Sequence, residues 1–300
     1  MPGIASWTFI GARFGTPFML LGLISFQALK KFTTKITHGM EMDKVFIGVP
    51  VFGAQPRSFW LPLARECAHL HEQGIQLVNL FAAESMMTDV NRNYIVKEFL
   101  KSGADWLKWL DADNVDHIHS IRRLLDTHKT LVTGVYVKRQ DKAEPVVYTK
   151  TLAGNYVTMA DYVPGQIRPV AAAGLGGCLV HRSVFEDIPK NYRMFDQVPG
   201  GGVTLIHKDD IIGDVFDDAT HEHDWKVVDG VQHRRLRVPK EEKPFSYFIL
   251  KDWRTEDLGF FECAARSGHQ LWCDTGVEIG HIGEKIYNPR DWKRWQRGQK

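Results

Sequence analysis

The chain has 300 residues, 44% hydrophobic and 25% charged, a balance that fits a folded globular protein and excludes a fibrous or wholly disordered one. Lys and Arg number 38 against 36 Asp and Glu, a formal net charge of +2, so bulk charge selects neither nucleic acid nor membrane. The four cysteines, Cys67, Cys178, Cys263 and Cys273, form no C-x-x-C pair, which argues against a zinc ribbon or a disulfide framework and fits a reducing compartment.

Residues 1–42 read as an N-terminal extension outside the folded domain, with Met40 or Met42 as a functional start. Phe14 to Leu29 is uncharged and apolar, yet shorter than the roughly 20 residues that a membrane span needs. It lacks the basic start and small-residue cleavage site of a signal peptide. The expectation is no stable membrane insertion and a cytoplasmic location, the host cytoplasm if the chain is phage-encoded; a weak anchor is the alternative.

From Lys44 the pattern becomes regular. KVFIGVPV, β-branched and apolar, predicts a buried strand, and SFWLPLARECAHLHEQ a helix closed by Gly74. IQLVNLFA is a second strand. TDVNRNYIVKEFLKS repeats Val90, Tyr94, Ile95, Phe99 and Leu100 at helical spacing and is closed by Gly103. DWLKWL is a third strand, HIHSIRRLLDTH a short helix and TLVTGVYV a fourth strand. Strands alternating with helices predict a parallel sheet with covering helices. After Glu144 the chain turns to short strands, Gly-rich turns and one late helix.

Asp111 and Asp113 stand at the carboxyl end of the third strand, the edge where ligands bind in open α/β sheets. Side chains at i and i+2 of a strand share a face, so both carboxylates can converge on one object. Two anions together repel, and a divalent cation beside the phosphates of a ligand relieves that repulsion. The alternative is a polar turn, since Asp and Asn favour turns.

WLKWLDADN resembles the D-x-D motif of the GT-A glycosyltransferases, RTEDLGFFECAARSGHQLW their acidic E-D motif opening a late helix, and VEIGHIG their C-terminal His strand. The three occur in order over Lys44 to Gly283, in the manner of compact bacterial and phage enzymes. The resemblance implies an α/β fold of GT-A type: a Rossmann-like mixed sheet flanked by helices, in a single main domain. The catalytic domain would span 43–284, with a donor half at 43–150, an acceptor half at 151–284 and a variable insertion at 195–245, followed by a basic and aromatic tail at 285–300.

The resemblance also implies roles. Asp111, Asp113 and His281 would hold Mn²⁺ or Mg²⁺, and a nucleotide sugar would be the donor substrate. The donor would meet Pro50, Val51 and Phe52 at its base, Arg92, Asn93 and Asp111 at its nucleotide and phosphates, and Gly176 and Gly177 at its sugar, with Lys138 pointing at donor or acceptor. Asp257, beside Glu256 at the start of the late helix, would take the acceptor's proton in an inverting transfer. Trp253 reads equally as a platform for a sugar ring or as core. A sugar-1-phosphate nucleotidyltransferase is disfavoured, because PVFGAQPRS lacks the Gly-rich basic loop of such enzymes; a non-catalytic glycan-binding relative is the other alternative.

The acceptor is less defined. Arg290, Lys293 and Arg294 alternate with Tyr287, Trp292 and Trp295, a pattern suited to phosphates and stacked bases or, equally, to an amphipathic terminal helix. Hydroxymethylpyrimidine DNA and a surface glycan are the two acceptor candidates.

Overall fold

In the computed structural model the described residues are 42–53, 55–85, 87–115, 119–140, 142–197, 202–210, 225–228, 231–234, 236–237, 244–250, 255–283 and 286–298. The first half follows the expected alternation: β1 (Asp43–Val51), α1 (Arg57–His69), β2 (Ile75–Glu84), α2 (Thr88–Ser102), β3 (Trp106–Trp109), β4 (Asn114–Val115), α3 (Ser120–Leu125) and β5 (Leu131–Tyr136). Gly74 and Gly103 both adopt φ of 73°, the left-handed conformation that ends a helical segment at little cost only for glycine.

The second half adds β6 (Val147–Lys150), β7 (Tyr156–Thr158), β8 (Ile167–Val170), β9 (Ala172–Ala173), β10 (Cys178–His181), α4 (Arg182–Asn191), β11 (Tyr192–Gln197), β12 (Val203–His207), β13 (Trp225–Val228), β14 (Val231–Arg234) and β15 (Leu236–Arg237). It ends with α5 (Glu256–Arg266), β16 (Leu271–Ile282), β17 (Ile286–Tyr287) and α6 (Pro289–Gln296).

The main sheet runs β17-β16-β5-β10-β3-β1-β2, with β4 and β8 also paired to β16. It is mixed: β1 is parallel to β2 and β3, β16 is parallel to β5, and β10 lies antiparallel between β3 and β5. Strand alternation divides the core between the two faces. Phe46 packs with Phe99, Leu107 and Trp109 on one, while Val45, Ile47 and Val49 pack with Phe59, Leu63, Ile121 and Leu124 on the other. Both faces are covered, which is why β1 reads as a continuous apolar run rather than an alternating one.

One expectation about α2 is corrected. Val90 and Tyr94 are exposed, at 51% and 42%, whereas Asn91 and Arg92 are buried beside Ile95, Val96 and Phe99. Periodicity marks a helix, but here acids on other segments draw the polar residue inward, and the buried stripe shifts around the axis.

Where it is described, the 195–245 region pairs as strands: β11 lies between β12 and β15, and β13 pairs with β14. The terminal segment forms α6, started by a reciprocal cap in which Arg290 N–H donates to Asn288 and Asn288 N–H to Asp291. Trp292 is buried and its indole N–H donates to Ala160 O at 3.1 Å, so the helix docks on the domain.

Among the described residues no helix is long and apolar enough to cross a membrane. Phe14 to Leu29 lies outside them.

Candidate functional site

Strand β1 lies between its sequence neighbours: the chain leaves it toward β2 on one side and returns past it to β3 on the other. Such a reversal opens a crevice at the carboxyl ends of the strands. Asp111 lies just beyond β3 at this edge. Ala112 and Asp113 form a turn rather than further strand, and β4 begins at Asn114. The two carboxylates have different nearest partners, though both act on the Tyr136 hydroxyl. Asp111 faces Arg92, and Asp113 faces His281.

Arg92 is the hub. Only 4% of its side chain is exposed, and its guanidinium sits 3.4 Å from Asp111 and 2.9 Å from Glu256 and is also paired with Asp257. One planar fork thus joins the D-x-D turn to both acids of α5, geometry that suits arginine and not lysine. Burial pushes the Asp111 carboxyl above its ordinary range; Arg92 draws it back, and Asp113 raises it further.

The β4–β16 pairing sets His281 opposite Asn114 and so delivers the imidazole to Asp113. Its Nδ1 lies 2.8 Å from Val137 O. A carbonyl only accepts, so Nδ1 carries a proton and Nε2 is the nitrogen turned to the site. Nε2 is 3.1 Å from Asp113 and 3.2 Å from the Tyr136 hydroxyl. Burial favours the neutral form of Asp113, but the His281 hydrogen bond and charge, with Arg139 at 3.1 Å, outweigh it and hold the carboxyl below its usual value. Burial, then the two carboxylates, push the Tyr136 hydroxyl up, so it remains a proton donor at neutral pH.

The turn Leu175–Gly177 closes the crevice. Lys108, fully buried, donates to Gly177 O at 3.0 Å, Asn114 donates to Gly176 O at 2.7 Å, and Leu175 N–H donates to Asp257 at 3.3 Å. A Cβ at Gly176 would meet the Asp111 carboxyl and the Asn114 amide, and one at Gly177 would meet Ile279. Only glycine lets this turn approach the acids so closely.

The other expected residues distribute unevenly. Pro50 and Val51 are buried at the end of β1, and Phe52 beyond them is 48% exposed. Asn93 faces away from the acids: it accepts from Tyr247 N and donates to Phe248 O, both at 2.7–2.8 Å, and so braces that loop. Lys138 is paired with Glu144 at 2.9 Å; its neighbour Arg139 is the cation that reaches Asp113. Trp253 lies outside the described residues. Arg290 pairs with Glu278, Lys293 donates to Tyr162 O, and Arg294 is exposed on the same helix.

Among the described residues no three His, Cys, Asp or Glu side chains form a ready metal cage. Asp113 pairs with His281 and Asp111 with Arg92, and the charges of Asp113 and His281 also act on Asp111. Sequence reasoning passed over Tyr136, Arg139, Asn114 and Lys108. Asn114, directly after the D-x-D, carried the nearest signal.

In sequence the chain matches no family model and no curated protein. Among solved structures it aligns with A197 from STIV at 16% identity and a TM-score of 0.42, over 81% of this chain and 86% of that one. It also aligns with GalNAc-T7, determined with UDP, GalNAc and Mn²⁺, at 9% identity and a TM-score of 0.39, over 81% of this chain and 44% of that one.

Proposed function

We propose that this chain is a divalent-cation-dependent glycosyltransferase of GT-A type. It would move a sugar from a nucleoside-diphosphate donor to a hydroxyl acceptor, with inversion at the anomeric carbon. The observation that carries this reading is the convergence of four distant segments at one sheet-edge crevice. Arg92 holds Asp111 together with Glu256 and Asp257, while Asp113 meets His281.

The residues fit a cation. With Nδ1 donating to Val137 O, Nε2 of His281 faces the Asp113 carboxylate at 3.1 Å, so a cation that displaced the proton shared between them would meet both donors side by side. Imidazole with carboxylate and phosphate oxygens suits Mn²⁺, and Mg²⁺ is compatible. Asp113 and His281 would hold the ion, with Asp111 adjoining. The bound ion would supply Lewis-acid stabilisation of charge on the departing diphosphate.

The chain's own residues do the rest. Arg139, half-exposed at Asp113, is placed to pair with a phosphate oxygen. The Leu175–Gly177 turn would border the sugar, and the exposed Phe52 would meet the base. The acceptor hydroxyl oxygen forms the new bond to the anomeric carbon as the bond to the diphosphate oxygen breaks, its electron pair leaving with the diphosphate. The hydroxyl proton passes to Asp257, which Arg92 and Leu175 N–H hold in one orientation.

Release of nucleoside diphosphate from a panel of nucleotide sugars in the presence of Mn²⁺ tests the reading. Asp113→Asn and His281→Ala should each lower release about a hundredfold or more, as loss of one electrostatic stabiliser does. Release that is indifferent to chelation and to both variants would discard it.

A further inference from the structure

Within α2 the exposed residues are Val90, Tyr94, Lys97 and Lys101, a single line along the helix that Met87 extends at its start. Their spacing of three and four residues places them on one face. The outward line of a surface helix is ordinarily polar, yet the first half of this one is apolar: Met87 is 48% exposed, Val90 51% and Tyr94 42%. The apolar period of α2 is thus shared between two faces. Ile95, Val96 and Phe99 turn to the core, and Met87, Val90 and Tyr94 turn away from it. Arg92 lies on the inner face, so the outer one takes no part in the acidic site.

Tyr94 joins this line to further apolar ground. With Lys97, Leu100, Pro244 and Phe245 it lines a groove of about 520 Å³, and its ring meets that of Phe81 on β2 with centroids 5.4 Å apart. An apolar helix stripe bordered by a groove is the form that receives a second amphipathic helix. Strand addition beside it is disfavoured. β2 ends the sheet, but Val78 interrupts its register with β1, and such a bulge blunts an edge.

The charges select the occupant. Glu84 is exposed at the end of β2, shortly before Met87, while Lys97 and Lys101 occupy the far end of the line. Lys101 is paired with Glu98 at 2.9 Å, and neither Glu84 nor Lys97 is ion-paired among the described residues. The surface is therefore acidic at one end, apolar in the middle and basic at the other. Turned about a two-fold axis between Val90 and Tyr94, it complements itself: Val90 meets Tyr94 of the second copy, and Glu84 comes beside Lys97 and Lys101. Nucleic acid or an anionic membrane would instead take an excess of cations without the acid. We infer that the outer face of α2 is a homodimer interface, in which two copies of this helix pack antiparallel. This interface does not depend on the transferase reading.

Sedimentation velocity on the full chain, over a series from about 1 to 100 μM, tests the surface. A species of twice the chain's mass should form within that range. Val90→Glu sets like charges at the two-fold axis and should leave the chain monomeric throughout. Glu84→Lys and Lys97→Glu should each raise the dissociation constant about tenfold by opposing like charges. The double variant Glu84→Lys/Lys97→Glu exchanges the two signs and should recover most of that loss. Thermal unfolding verifies that the variants, all at exposed positions, are folded. A chain that stays monomeric at every concentration, a dimer that Val90→Glu leaves intact, or a double variant no tighter than the single ones would overturn the inference. A monomer whose unfolding temperature falls in Val90→Glu would assign the face to a segment of the same chain and would likewise overturn it.

Discussion

Replacing Arg92 by methionine removes the guanidinium that pairs with three acids among the described residues. The Arg92 side chain is 4% exposed, and those of Asp111, Glu256 and Asp257 are 21%, 12% and 17% exposed. None of the three carboxylates is free to regain full hydration, and they face the same vacated space. Removing one partner of a buried ion pair costs about 3–5 kcal/mol, and with three acids left behind the upper part of that range applies. Against a total stability of about 5–15 kcal/mol this is a large fraction. Urea unfolding at neutral pH, followed by tryptophan fluorescence, should show a midpoint lowered by roughly 1.5–2 M for a slope of about 2–3 kcal/mol per M. Neutralising the acids as well, in Arg92→Met/Glu256→Gln/Asp257→Asn, should recover most of the loss, because neutral polar groups tolerate that environment far better than unpaired charges. A midpoint shift in Arg92→Met below about 0.5 M, or a triple variant no more stable than the single one, would refute the assignment of Arg92 as the cation holding these acids together.

Asp257→Asn should lower turnover by about 10²–10⁴-fold while nucleoside diphosphate affinity stays near its original value, since the proton moves only during reaction; equilibrium titration beside steady-state kinetics separates the two. Gly176→Ala places a methyl group against the Asp111 carboxyl and the Asn114 amide. It should cost about 1–3 kcal/mol in thermal unfolding and weaken nucleotide binding in titration. At the start of α4 the His181 Nδ1 accepts from Ser183 N–H at 3.3 Å, and burial holds the imidazole below its ordinary value of 6.5. A folded-state value depressed in this way makes the stabilisation complete above the unfolded value and lost as pH falls through the lower folded one. Urea midpoints measured from about pH 7 to 5 should therefore fall less steeply for His181→Asn, which caps without titrating; parallel pH profiles would remove His181 as the source.

Local rules made the first half of the fold legible. A continuous apolar run covered on both faces marks β1, helical spacing ended by glycine marks α2, and Gly74 and Gly103 adopt the left-handed turns that their positions required. The placement of the D-x-D acids after β3 was equally readable, because the end of an apolar strand is a property of a few consecutive residues. Which groups meet there was not. Arg92 and Glu256 are 164 positions apart, and His281 reaches Asp113 only through the register of β16 on β4. Lys138 and Arg139 are adjacent cations of the same charge, yet backbone direction turns one to Glu144 and the other to Asp113. Val90 and Tyr94 fit the periodic stripe of α2 and are exposed, while Arg92 on the same helix is buried in the ion network. The sequence by itself therefore determined the elements, their ends and the acidic edge, all set by short-range sterics and hydrophobic spacing. The pairing of charges across that edge was decided by the tertiary structure alone, since a buried guanidinium or imidazole takes its partners from whichever distant segments the sheet brings within hydrogen-bonding distance.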